Sequence, residues 1–127
     1  MTLPRHFVVH LLSLAFAVAI AFALIEPVPP DLDKATQDIV FPIDKLVHFA
    51  LFLVAAVPWR RSFQLMGVGG ARSADVAVVV AAAVYGGLLE LAQGLWTPRD
   101  AELGDMVAGA LGALATVAIL RVLRKAS

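Results

Sequence analysis

Asp44, Lys45 and His48 stand close together at the head of an apolar run that continues to Trp59. At about 100° per residue their side chains fall within one arc of roughly 100°, so all three can face the same neighbour. Glu90 and Gln93 lie three residues apart near the end of another apolar run, on a face shared with Gly86 and Gly94. Arg99 follows in a short connection, and Asp105 opens a further run whose face continues through Gly109, Gly112 and Thr116. A histidine or glutamate among such groups can serve as a general base, with Asp44 and desolvation tuning it and Arg99 stabilising developing negative charge. His48 and Glu90 are the candidate catalytic groups. The candidate ligand-binding set is Asp44, Lys45, His48, Glu90, Gln93, Arg99 and Asp105.

These residues are conspicuous because of what surrounds them. Of the 127 residues 61% are hydrophobic and 16% charged, and mean hydropathy is +0.87. A soluble domain is nearer half apolar and a quarter charged. Residues 7–25, 76–89 and 106–120 carry no formal charge, and 46–59 is interrupted only by His48. A bilayer crossing takes roughly 20 apolar residues at about 1.5 Å each. Four helices of a soluble protein would each need a polar face, which the middles of the first, third and fourth runs lack. Formal net charge is zero, which gives no sign of nucleic-acid binding. The chain has no cysteine, so disulfides and thiolate metal sites are excluded.

The elements that must hold the polar residues are four transmembrane helices, at about 7–25, 42–57, 74–94 and 103–120, in a single all-α integral membrane bundle spanning 1–127. Ala21-Phe22-Ala23 has the form of a signal-peptidase site, but the preceding run is long for a signal peptide and is read as an uncleaved anchor. Glu26 and the prolines at 27, 29 and 30 stop the first helix, Pro42 suits a first helical turn, and Pro58 marks the expected end of the second. Trp59-Arg60-Arg61 reads as an interfacial anchor, and Gly67 to Gly70 as a flexible turn. No strand or Lys-Ser/Thr accompanies those glycines, which excludes a phosphate loop.

Four crossings place Arg5, Arg60, Arg61, Arg72, Arg121, Arg124 and Lys125 on the side of the termini, against Lys34, Lys45 and Arg99 opposite. The excess of cations predicts cytoplasmic termini. The starts of the second and fourth helices and the end of the third then meet at the outer leaflet. With Asp75 at the inner boundary, Glu90 lies about 22 Å along its helix, still at hydrocarbon depth. An ionisable residue at mid-span costs about 2.5–3.5 kcal/mol on insertion scales, so these groups must face one another, water or a ligand.

Blander readings exist for each residue. Asp105 can answer a helix dipole, Lys45 can snorkel, and the ensemble can be a structural ion network. Gly104, Ala108 and Gly112 form a small-residue stripe suited to close helix packing. A metal bound by His48 with Asp44, Glu90 or Asp105 is conceivable. The spacing matches no zinc motif and the nearby cations oppose it, so neither metal nor cofactor is expected.

Asp44-Lys45-Leu46-Val47-His48-Phe49, Glu90-x-x-Gln93, Arg99 with Asp105 six residues on, and Gly112 together resemble the VanZ-like family of small bacterial membrane proteins. The resemblance covers about 44–120. Where the family commonly has Asn four residues after the helix-4 Asp, this chain has Gly109, which removes a polar partner from Asp105. The family takes its name from a member linked to teicoplanin resistance, so the resemblance implies a cell-envelope role. The reading favoured from sequence is a non-enzymatic protein whose outward pocket binds an anionic or polar head group of a lipid or lipid-linked envelope precursor. Arg99 and Lys45 would contact the anion. A membrane enzyme acting on such a precursor is the alternative, and a proton- or ion-coupled transporter the next.

Overall fold

A computed structural model describes residues 3–25, 43–97 and 101–127. Pro42, the first connection and Arg99 lie outside the described residues. Four helices carry the chain: α1 (Arg5–Ile25), α2 (Ile43–Leu65), α3 (Ala71–Trp96) and α4 (Leu103–Ala126). Each is long and apolar enough to cross a membrane, so the protein is an all-α, multi-pass membrane bundle. The helices alternate in direction, which places both termini at one end. α2 is central and packs on all three others, most extensively on α4, while α1 lies against α2 and α3. Leucines and valines such as Leu14, Val80, Leu91 and Leu114 point outward, as lipid contact requires.

Lipid is as apolar as a leucine side chain, so hydrophobicity alone does not drive helices together; close packing and hydrogen bonds do. A Cβ on Gly112 would run into the backbone carbonyl of Phe49 and, at 3.0 Å, the amide of Leu53. The missing side chain is what lets α4 touch the α2 backbone. Thr116, one turn further, donates its hydroxyl to the Leu53 carbonyl at 2.5 Å. Phe52, Trp59 and Tyr85 form a triangle with ring centroids 5.6–6.2 Å apart at the centre. Their polar tips are satisfied by α1: Trp59 Nε1 donates to the Ser13 carbonyl at 2.9 Å, and the Tyr85 hydroxyl to that of Ala17.

The helix expected to stop at 57 instead continues through Pro58 to Leu65. Proline removes one backbone donor, but buried neighbours can hold a membrane helix together across such a break. Here Trp59 and Arg60, directly after the proline, are anchored by α1 and α3. This also corrects the reading of Trp59-Arg60 as an interfacial anchor, since both are buried and only Arg61 is exposed. α3 begins at Ala71 rather than 74, with Asp75 buried a turn inside it rather than at its boundary, and α4 runs on to Ala126 rather than 120. The turn at Gly67 to Gly70 is as expected: Gly67 and Gly69 adopt φ of 73° and 57°, open to glycine without strain.

Candidate functional site

α2 and α4 begin, and α3 ends, at the same end of the bundle, where their polar residues meet. His48 sits one turn into α2 with its side chain 2% exposed. Its Nδ1 lies 2.8 Å from the Asp44 carbonyl. A carbonyl only accepts, so Nδ1 carries the proton and donates it, turning Nε2 toward Glu90. The Nε2 to Glu90 Oε1 distance is 3.4 Å.

Glu90 is held from the other side. The backbone amide of Glu102, at the head of α4, donates to its Oε2 at 2.9 Å, where the helix dipole favours a carboxylate. Asp105, one turn on, is 2% exposed, and its Oδ1 lies 3.2 Å from Lys45 Nζ. Lys45 in turn donates to Glu102 Oε2 at 2.5 Å. Its stem packs across Gly104, where a Cβ would lie 2.7 Å from Lys45 Cε. Asp44 accepts from the Lys45 amide through Oδ1 at 3.0 Å and lies near Glu102 and Asp105. His48 Nε2 and Glu90 Oε1 are buried without a hydrogen-bond partner among the described residues, and buried Asp105 Oδ1 is held by its ion pair with Lys45. One ligand atom from each of His48, Glu90 and Asp105 lies within 4.8 Å of the other two.

Of the residues singled out from sequence, Asp44, Lys45, His48, Glu90 and Asp105 therefore form one cluster. Gln93 is buried but turned elsewhere: its amide donates to the Leu24 carbonyl and fastens α3 to the end of α1. Arg99 lies outside the described residues. Glu102 joins the cluster without having been singled out; its placement three residues before Asp105, on the same helical face, was the available signal.

The sequence reading also missed a second polar cluster, at the end of the bundle that holds the termini. Arg60 donates Nε to Asp75 Oδ1, and Arg121 Nε donates to Oδ2 at 2.9 Å. Beside it, His10 Nδ1 is hydrogen-bonded to the Ser62 hydroxyl.

The space a longer side chain would take at Gly109 is filled. A Cβ there would come within 2.9 Å of Phe52 Cδ2, so the aromatic ring of α2 occupies that space. No family model, curated protein or solved structure matches the chain, and the VanZ-like resemblance stands on the motif residues alone.

Proposed function

We propose that the protein is a VanZ-like component of the bacterial cell envelope. Its cluster at the heads of α2 and α4 faces outward and binds the polar head group of a lipid or lipid-linked envelope precursor. Both termini are then cytoplasmic, in line with the excess of Lys and Arg on their side. One observation carries the reading: buried His48, Glu90 and Asp105 converge from three helices, and His48 Nε2 and Glu90 Oε1 have no hydrogen-bond partner among the described residues. Stranding such groups costs about 1–3 kcal/mol each, which a bound molecule would offset.

The charge balance favours a head group that brings hydrogen-bond donors. Among the described residues, the cation at the cluster of Asp44, Glu90, Glu102 and Asp105 is Lys45, already shared between Glu102 and Asp105. An ammonium, amide or hydroxyl group suits that lining. A purely anionic head group would depend on Arg99. Against transport, the two polar clusters are separated by the apolar triangle of Phe52, Trp59 and Tyr85, whose polar tips are occupied by backbone.

Native mass spectrometry of the protein released from vesicles of mixed phosphatidylethanolamine and phosphatidylglycerol tests this. Selective retention of the amine lipid, lost in Asp105→Asn, is expected. Selective retention of phosphatidylglycerol, lost in Arg99→Ala, would return the site to the anionic reading. No selectivity at all would remove head-group binding. The enzymatic alternative draws on the free Nε2 of His48 beside Glu90, and predicts that Glu90→Gln abolishes turnover while leaving lipid retention intact.

A further inference from the structure

We infer that the imidazole of His48 and the carboxylates of Glu90 and Asp105 form a binding site for a divalent transition-metal ion of the zinc class. It draws on the same three side chains as the head-group reading, and metal titration in lipid-free micelles tests it apart from lipid retention.

The histidine supplies the first argument. With its proton on Nδ1 and given to the Asp44 carbonyl, Nε2 presents a lone pair to the Glu90 carboxylate. Two electron-rich atoms face each other in a buried gap, which is repulsive unless something positive lies between them. Metal-bound histidines characteristically hand their second N–H to a backbone carbonyl or carboxylate, which fixes the tautomer and the ring. His48 is arranged in that way.

The spacing supplies the second. A tetrahedral ion with bonds of about 2.1 Å sets its ligand atoms about 3.4 Å apart. Nε2 and Oε1 are 3.4 Å apart, and one ligand atom from each of the three residues lies within 4.8 Å of the others. A proton shared between Nε2 and Oε1 would instead draw them to about 2.7–2.9 Å.

Charge supplies the third. A dication among two carboxylates and a neutral imidazole leaves the buried site without net charge, the condition a low-dielectric interior favours. Lys45 is the competitor, because its Nζ lies 3.2 Å from Asp105 Oδ1. It has another place to go, since Glu102 is 55% exposed and already holds the same ammonium at 2.5 Å. The ligands come from three separate helices, so no spacing within one segment reports them. A nitrogen and two oxygens suit zinc, manganese or ferrous iron rather than a soft, thiolate-bound ion. Three protein ligands would leave one position for a water or a substrate oxygen.

The test uses the full chain purified in micelles through a tag without histidine, with His6→Gln and His10→Gln so that His48 is the only imidazole. Titration with Zn²⁺ and with Co²⁺ should saturate at about one ion per chain, weaken at low pH because the ligands must be deprotonated, and be little affected by excess Mg²⁺. His48→Ala, Glu90→Gln and Asp105→Asn should each weaken binding by more than about 100-fold, beyond what loss of an outer partner does. Lys45→Gln, which frees Asp105, should tighten it. X-ray absorption of the zinc-loaded chain should show one imidazole nitrogen at about 2.0–2.1 Å, a readout that needs no variant to fold. No saturable binding up to about 1 mM, or bound zinc without imidazole scattering, overturns the proposal. So does binding undiminished in monodisperse ligand variants.

Discussion

Arg60 and Asp75 are joined side chain to side chain between α2 and α3, each more than nine-tenths buried. The pair lies at the end of the bundle opposite the candidate site and ties the two helices that the Gly67 to Gly70 turn connects. Removing one partner from a buried pair strands the other charge, at about 3–5 kcal/mol. Asp75→Asn should therefore lower unfolding stability in micelles by that amount. The double variant Arg60→Met, Asp75→Leu should recover most of it. Arg121 reaches the same carboxylate, but its side chain is 51% exposed, and Arg121→Ala should cost no more than about 1 kcal/mol.

That pair also marks where the sequence was legible and where it was not. Helix number and order followed from uninterrupted apolar runs, because lipid leaves a chain few alternatives to a helix. The convergence of Asp44, Lys45, His48, Glu90 and Asp105 followed from connectivity alone, since alternating helices bring those ends together. Arg60 was misplaced because Pro58 was given its usual weight as a helix stop. What overrides it is tertiary: the bonds of Trp59 to Ser13 and of Arg60 to Asp75. Gln93 was legible as a buried polar residue but not as a partner of Leu24, because rotation about the α3 axis is set by packing on α1.

Phe52 and Gly109 constrain each other. Adding an amide side chain in Gly109→Asn drives it into a ring that is fully buried. Overpacking of this kind typically costs about 1–3 kcal/mol. The single variant should unfold more readily than the parent. Adding Phe52→Leu should relieve the clash and recover part of the loss, measured by thermal unfolding in the same detergent. A Gly109→Asn variant as stable as the parent would show that the ring moves aside freely.

Gly112 should tolerate even less. A methyl there meets the Phe49 and Leu53 backbone, which cannot rotate out of the way as a side chain can. Gly112→Ala must separate α4 from α2 and, with them, the Thr116 to Leu53 hydrogen bond. A loss of about 1–3 kcal/mol is expected, against almost none for Gly70→Ala, where the added Cβ meets open space. Because α2 and α4 also carry His48 and Asp105, the same substitution should weaken any ligand held between them.

Orientation can be tested cleanly because the chain has no cysteine of its own. Gly70 and Ala101 are both exposed and lie at opposite ends of α3. With both termini cytoplasmic, as the excess of Lys and Arg on their side predicts, Gly70→Cys faces inward and Ala101→Cys outward. In intact cells an impermeant maleimide should then label Ala101→Cys, and should label Gly70→Cys only after the membrane is opened. The reverse pattern would invert the bundle and put the His48, Glu90 and Asp105 cluster at the cytoplasmic face, which would end the assignment to an outer-leaflet head group. Labelling of both positions in intact cells would contradict α3 as a membrane span.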